Sequence, residues 1–567
     1  MLRAARAGGM FWLALAVGLG AAARAGAQPA PAPPAPPPAP PAQPPVPPAA
    51  TAPTPAPPPI APAGIDAQPR ASLSLLEAIK TTLRSHPNIR AAEANLQQRT
   101  AELKAASGPF DPLFRARAGH NHDETPVLAA QRLAPEQRAL LTDTTSLDVG
   151  AAWTTTWGTT LLPAVGLARV HQRPSDSVTV PGVSFDPVQQ ASVGFTLIQP
   201  LLRGSGTTGA ASAIDAAKAG RDSSSKLIGF TAQQRAFIGV ASYFQLVAAT
   251  ETVALMRDNA KAAEQLVSET RVLVEADQRP RTDLHQLEGN LAIRLRSLRE
   301  AENIEVQALY ALGEAMGLSA QTTPAWRAVD GLPAARPPSQ DGARLVRQAR
   351  QTRKDIRALE DNAASIASLV TGAEYNTKPA LDLSVSVGYR GALDEDGVDA
   401  FFLAAGRNVP GVNAGVALSL ELPFNNTARE AERDLRLAQH QSAKIAVSDL
   451  ERRIPIDVLS ALDDVRLSAA QLDASVTAVE KYRQALAAEH DRVKEGVGTV
   501  IDLVLTQEQL IRAEVSRVAD HLRYAIALAR LKFETGEMPA EQDQVEAALG
   551  RMFELRTPAP GGQRAGQ

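Results

Sequence analysis

Val193-Gly194-Phe195-Thr196-Leu197-Ile198-Gln199-Pro200 alternates like a strand and stops at a proline, and an almost unbroken helical pattern follows from about Ala211 to Ala276. That pattern turns sharply and returns to about Leu318. The arrangement is written a second time. Val416-Ala417-Leu418-Ser419-Leu420-Glu421-Leu422-Pro423 leads into a helical run from about Thr427 to Glu495, with a return helix from Val500 to Phe533. Duplication on this scale means that the architecture itself is repeated. The front ends agree: the run from His86-Pro87-Asn88-Ile89-Arg90 lies 267 positions before a similar run through Lys354-Asp355-Ile356-Arg357, and Pro112 opposes Pro379 at the same offset. Each half therefore reads as helix, strands, long helix and return helix. The first repeat spans 70–320, with strands at about 112–200 and a hairpin at about 209–318; a linker covers 321–340. The second repeat spans 341–536, with strands at about 379–423 and a hairpin at about 427–535.

Composition fits elongated bundles better than compact domains, because only 4% of the 567 residues are aromatic and the helices are rich in Ala, Leu, Gln, Glu and Arg. Arg3 and Arg6 precede an apolar run from Met10 to Ala23, and Ala25-Gly26-Ala27 supplies small residues for cleavage. Residues 1–27 thus read as a secretory signal peptide, the alternative being an uncleaved anchor. Loss of Arg3, Arg6 and Arg24 takes the formal net charge from −3 to −6, which gives no reason to expect nucleic-acid binding. The chain has 0 cysteines, excluding disulfides, thiolate metal sites and a lipidated N-terminal cysteine. Residues 28–69 are nearly all Pro and Ala and read as an extended, disordered tether reaching up to ~130 Å. The tail from 537 to 567 is also read as disordered.

No later stretch has the ~18 consecutive apolar residues of a membrane helix, so any crossing must use strands. Leu381, Leu383, Val385 and Val387 alternate with Asp382, Ser384 and Ser386, and similar alternation occurs around Phe114, from Leu147 to Trp157 and from Val193 to Ile198. In an exported protein this fits a barrel wall with apolar side chains to lipid and polar ones to a lumen; a soluble sheet packed on helices gives the same pattern. Four to six strands cannot close a membrane barrel of the usual minimum of ~8, so several chains must share one. The helices also call for assembly. A run of about 66 residues spans roughly 100 Å, and apolar residues recur at coiled-coil intervals: Phe237, Val240, Phe244 and Val247; Leu284, Leu287, Leu291, Leu295 and Leu298; Val479, Tyr482 and Leu486. Pro455 should kink the second long helix.

From Leu73 to Glu537 the chain resembles the TolC family of outer-membrane efflux and secretion channels. The resemblance rests on Ser74-Leu75-Leu76-Glu77-Ala78-Ile79, His86-Pro87, Gln199-Pro200-Leu201-Leu202-Arg203-Gly204, and Gly496-Val497-Gly498-Thr499-Val500-Ile501-Asp502-Leu503, in this order within the duplicated frame. It implies a mixed fold, a membrane β-barrel continued by a long α-helical barrel, built by a homotrimer whose chains share one barrel in the outer membrane of a Gram-negative bacterium. It further implies a periplasmic adaptor and an inner-membrane pump as partners, contact with outer-membrane lipid, no cofactor and no catalysis. Four strands per chain, twelve per trimer, are expected, with the extra length of 112–200 as an external loop; an added strand pair is the alternative. Trp153 and Trp157 are candidate membrane-interface aromatics.

The family places its gate where the hairpins turn. Gly496, Gly498, Thr499 and Asp502 fall on or beside the second turn, and Asp502 matches the first of two aspartates that ring the closed entrance. Leu505 stands where the second would be. In the first hairpin Thr282 and Asp283 match latch positions, but their Tyr and Arg partners are absent, with Val493 and Gly498 nearby instead. Arg279 or Arg281 pairing with Asp502 or Glu495 is the substitute latch this sequence offers; solvated turn charges are the plainer alternative. His120-Asn121-His122-Asp123-Glu124 reads as a strand end rather than a metal site. Gly204, Gly206 and Gly209 lack the Lys-Ser/Thr sequel of a phosphate loop. The leading function is the exit duct of a tripartite small-molecule efflux system. The alternatives are the duct of type I protein secretion and a periplasmic coiled-coil spacer or adaptor.

Overall fold

A computed structural model describes residues 71–553, apart from 133–134, 176–183, 279, 321–325, 337–340, 394–398, 400–402, 404–410 and 496. The expected signal peptide, the Pro/Ala tether, much of the 321–340 linker, Arg279 and Gly496 lie outside the described residues.

Helix α1 (Leu75–Ser85) begins with a capping box, in which the Ser74 hydroxyl accepts the Glu77 N–H and the Glu77 carboxylate accepts the Ser74 N–H. It stops at His86, whose extended backbone suits a residue before proline, and α2 (Pro87–Ser107) starts at once with Pro87 in its first turn. At an offset of 267, α6 (Gly342–Thr352) and α7 (Lys354–Asn376) meet in the same way at Arg353. The correspondence extends to single hydrogen bonds. Ser85 Oγ donates to the Met316 carbonyl at 3.1 Å, and Thr352 Oγ1 donates to the Thr535 carbonyl at 2.6 Å. Both carbonyls close a return helix, α5 (Arg281–Ala315) or α9 (Val500–Glu534). Each return helix ends in a left-handed glycine, Gly317 at φ +75° and Gly536 at φ +72°, packed against the helix junction of its own repeat.

Among the described residues, six antiparallel strands form one sheet in the order β2-β3-β4-β5-β7-β8: β2 (Leu113–Pro126), β3 (Ala139–Thr154), β4 (Thr160–Pro174), β5 (Val188–Pro200), β7 (Ala380–Leu393) and β8 (Gly411–Glu421). A short parallel pair, β1 (Ala71–Leu73) with β6 (Trp326–Ala328), lies apart from it. The expected four strands are therefore corrected to six. Alternating segments on both sides of the Thr155–Thr159 turn fold back on each other as β3 and β4. That turn is closed by Gly158 at φ +87°, whose N–H donates to the Thr155 carbonyl at 2.9 Å.

The long helices α4 (Ser212–Glu275) and α8 (Thr427–Lys494) turn into α5 and α9, and α8 runs without a break through Pro455. A proline deletes one i→i−4 bond, and packing of Ile454, Val458 and Leu462 against α6 and α9 holds the helix across the gap. An 18-residue window of α4 is apolar enough by composition to cross a membrane, at mean hydropathy 1.3, but half of it is buried inside the helical packing. The main core joins α1, α4 and α9 around Leu75, Ile79, Tyr243, Phe244 and Met316; each such side chain, fully buried, contributes about 1.5–3 kcal/mol. A further helix, α10 (Val545–Phe553), completes it. Val545, Leu549 and Met552 are buried, and Phe553 meets Phe244 edge-on with ring centroids 5.3 Å apart. The disorder expected from 537 onward is thus corrected as far as 553, because apolar residues at 545, 548, 549 and 552 form one helical stripe with a core to bury it in.

Candidate functional site

The register gives the sheet two chemically distinct faces. Cross-strand partners share a face, so the pairs Phe114–Ala151, Val149–Val165, Val193–Val165, Phe195–Val387 and Val385–Val416 lie on one side. That side continues through Leu418 and Leu420 as a band of exposed apolar groups. The opposite side carries Arg115, Arg117, Asp148, Ser192, Thr196, Ser384, Ser386, Ser419 and Glu421, with glycines at 150, 166, 194, 388 and 415. The outer strands β2 and β8 each have one unpaired edge.

Trp153, paired with Leu161, stands on the apolar side at the end of the sheet nearest the helices. Trp157 projects from the β3–β4 turn and is mostly exposed. Phe114, already marked by its alternating neighbours, and the wholly exposed Phe424, which the sequence does not single out, join them at the same end. Strand parity carried past Pro423, from Val412 to Leu422 and on to 424, was the signal for Phe424. On the polar face at this end Arg203 and Arg429 lie 3.4 and 3.6 Å from Glu421.

At the far ends of the hairpins the sequence-predicted tip residues form two different turns. In the second, the Val497 and Gly498 N–H groups both donate to the Arg492 carbonyl at 3.0 Å. A Cβ on Gly498 would stand 2.9 Å from Glu489 Oε1 and 3.1 Å from the Val493 nitrogen, so the turn lies flat on α8 only with glycine there. Thr499 then caps α9: its Oγ1 accepts the Asp502 N–H at 3.1 Å and its hydroxyl donates to Asp502 Oδ2 at 2.7 Å. Glu489, which the sequence reading missed, sits buried beneath this turn and is tied to Arg492 at 2.9 Å. Its spacing looks like that of any solvated helix charge.

In the first turn the Asp277 N–H donates to the Val274 carbonyl and the Gln278 N–H to the Leu273 carbonyl, with Asp277 at φ +58°. This is the Schellman closure that glycine usually provides. Thr282 and Arg281 are exposed, and the Asp283 N–H donates to the Pro280 carbonyl at 3.2 Å. Among the described residues of one chain, Arg281 is paired with neither Asp502 nor Glu495. Between the two hairpins, where α4 meets α8 and α9, lies a cavity of about 490 Å³ lined by Gln265, Glu269, His490 and Gln507.

Partway along the long helices, where α1 meets α2 and α6 meets α7, each repeat has a polar joint. Arg353 is buried and reaches Asp355 at 2.7 Å and Glu534 at 2.6 Å. Burial opposes its charge, and the two carboxylates more than offset that, holding its proton more tightly than usual. Burial pushes the Glu534 carboxyl above the ordinary range, against the pull of Arg353. In the first repeat the equivalent residue is His86, which has no such carboxylates; burial, followed by the field of Arg235, lowers its imidazole below the ordinary value.

A family model described as outer membrane efflux protein matches residues 345–537, from α6 to the end of the second hairpin. The second repeat therefore carries an outer membrane efflux protein domain. Protein CyaE of Bordetella pertussis is 24% identical to it over 391 residues, covering 67% of this chain and 80% of that protein. The outer-membrane channel OprN shares its fold with a TM-score of 0.58 at 16% identity, over 82% of this chain and 89% of that one. The Campylobacter jejuni CmeC outer membrane channel gives 0.57 at 14%, over 82% and 85%. The Neisseria gonorrhoeae MtrE outer membrane channel, solved in its open state, gives 0.55 at 18%, over 82% and 88%. An apolar sheet face of this kind suits contact with lipid, and a polar one suits water.

Proposed function

We propose that three copies of this chain form the exit duct of a tripartite efflux system for small molecules, with a periplasmic adaptor and an inner-membrane pump as partners. The observation that carries this reading is the two-faced sheet with open edges at β2 and β8, continuous with two long hairpins. A free edge in hydrocarbon leaves backbone groups unsatisfied at several kcal/mol each, so the sheet must meet further copies. β2 and β8 run in opposite directions, which allows β8 of one copy to pair antiparallel with β2 of the next. Arg115 and Arg117 would then approach Glu421 of the neighbour on the lumen side. Six strands from each of three copies make eighteen, well above the minimum of ~8 for a closed barrel. The duct performs no chemistry, and the pump supplies the energy.

The tip residues Thr282, Asp283, Gly498, Thr499 and Asp502 form the gate in this reading, with Gly496 in the same turn. Three Asp502 carboxylates attract cations at the entrance, and Arg279, Arg281 and Glu495 supply the remaining tip charge. Trp153 and Trp157 sit at the periplasmic membrane interface.

Deletion of the gene should raise cellular accumulation of ethidium, and the purified trimer should conduct in planar bilayers. Cysteines placed along 114–118 and 417–421 should cross-link neighbouring copies, free of background because the chain has 0 cysteines of its own. Unchanged accumulation together with a secreted protein missing from the medium would move the chain to type I secretion. A soluble, non-conducting monomer would leave the spacer reading.

A further inference from the structure

His86 and Arg353 occupy the same position in the two repeats, and their chemistry differs in one respect that matters. Arg353 is charged at every accessible pH and is held by two carboxylates. His86 is 7% exposed, and its Nδ1 accepts the Asn88 N–H at 3.1 Å, satisfying one of the free donors at the start of α2. Acceptance at Nδ1 fixes the tautomer, with the ring proton on Nε2. A second proton can only go to Nδ1, where it replaces the accepting lone pair with a donor facing another donor.

The surroundings give the resulting cation nothing to pair with. From α4, Arg235 is the charged group whose field reaches the ring, and it is of like sign. Its Nε is buried with no hydrogen-bond partner among the described residues. From the closing turn after α5, Gly317 packs so closely on His86 that a Cβ there would lie 2.7 Å from His86 Cα, and it brings no charged side chain to the ring. From α2 itself the facing group is the Asn88 amide, and from α1 the neighbouring Ser85 hydroxyl is already committed to the Met316 carbonyl.

We propose that His86 makes the α1–α2 joint of the first repeat an acid-sensitive hinge, while the Arg353 joint of the second repeat stays closed. Protonation breaks the cap on α2 and sets two cations against each other beside the closing turn of α5. One half of each subunit then loosens on acidification and the other does not. The sign follows from the depressed proton affinity: stability from neutral His86 is complete above its ordinary value of 6.5 and is lost as pH falls through the lower folded value. The hinge acts on the folded subunit, whichever cargo the duct carries.

The test is hydrogen–deuterium exchange on the detergent-solubilised trimer at pH 7.5 and 5.5, corrected for intrinsic exchange, with wild type beside His86→Asn. Asparagine also accepts at an N-cap but does not titrate. In wild type, amides 88–91 should exchange about fivefold faster at the lower pH, the effect of losing one cap, while amides 355–358 do not accelerate. In His86→Asn neither segment should accelerate at the lower pH. Equal acceleration in His86→Asn and wild type, or none in either, overturns the proposal. Arg235→Gln covers the case in which the Asn variant assembles poorly. Removing the neighbouring cation should move the acid transition to higher pH, and an unmoved transition is equally fatal. Conductance of the same preparations reports on the channel reading separately.

Discussion

Thr499 and Asp502 share two hydrogen bonds, and separating their roles is the sharpest test of the gate. Thr499→Ala removes the acceptor for the Asp502 N–H at 3.1 Å and the donor to its carboxylate at 2.7 Å. Loss of an N-cap costs about 1 kcal/mol, so the first turn of α9 should fray about fivefold more often in each chain. Asp502→Asn leaves that cap in place, and its amide oxygen still accepts from Thr499, but the trimer loses three charges. For a cation passing ~5 Å from each carboxylate in water, three charges amount to ~2.5 kcal/mol before screening, and ~1.5 kcal/mol after it at 0.1 M salt. That is about a tenfold change for cations and, because anions are repelled equally, roughly a hundredfold change in preference for cations over anions. Planar-bilayer recording reads both effects. Thr499→Ala should add brief openings without changing the reversal potential, whereas Asp502→Asn should shift the reversal potential without the flicker. If Asp502→Asn left the reversal potential in a salt gradient unchanged, the carboxylates would not lie on the ion path, and the tip would not be the entrance.

Three further outcomes are expected. Gly317→Ala and Gly536→Ala each force a side chain into a left-handed backbone and into contacts of 2.7 and 2.8 Å, so each should lower trimer stability by about 2–5 kcal/mol in thermal melts; no change would remove these joints from the core. Leu418→Arg, on the apolar side, should cost ~2–4 kcal/mol and reduce the heat-modifiable trimer in outer membranes, whereas its neighbour Ser419→Arg, on the polar side, should assemble as wild type does. Because the folded Glu534 carboxyl is raised above 4.5, its contribution to stability is full at low pH and is lost as pH rises through the folded value. Wild type should therefore gain on Glu534→Gln in melting temperature between pH 7 and 5, and a constant gap would argue against the burial effect.

Much of the fold is legible in the sequence because duplication doubles every signal. The paired helix starts at His86 and Arg353, the strand-proline-helix boundaries at Pro200 and Pro423, and the hairpin ends all repeat, so a weak motif in one copy is backed by the other. The β3–β4 hairpin has no counterpart in the second repeat, and its strands interleave Thr, Asp, Gly and Ala with their large apolar groups. Single-copy alternation of that kind is hard to tell from a loop. Helix α10 was obscured by the Pro- and Gly-rich residues that follow it, which pull any window average toward disorder. At the tips, Thr499 and Asp502 are legible as a capping pair, since Thr-x-x-Asp ahead of an apolar run carries its own mechanism. The Glu489–Arg492 pair beneath Gly498 is not, because only the fold-back of the turn buries it.

In the proposed three-copy duct, the β3–β4 hairpin also bears on transport. With strands ~4.8 Å apart and tilted by ~40°, eighteen of them close a cylinder about 36 Å across, against about 24 Å for twelve. The hairpin tips gain nothing from it, since each chain still contributes two. A duct with a wide mouth and a narrow entrance is a pair of resistances in series, in which the smaller aperture sets the flux. Permeation should therefore be almost indifferent to what the outer mouth becomes. That frees the loops at the cell surface to vary in length and charge under pressure from the environment, with the rate of export left to the two turns at the other end.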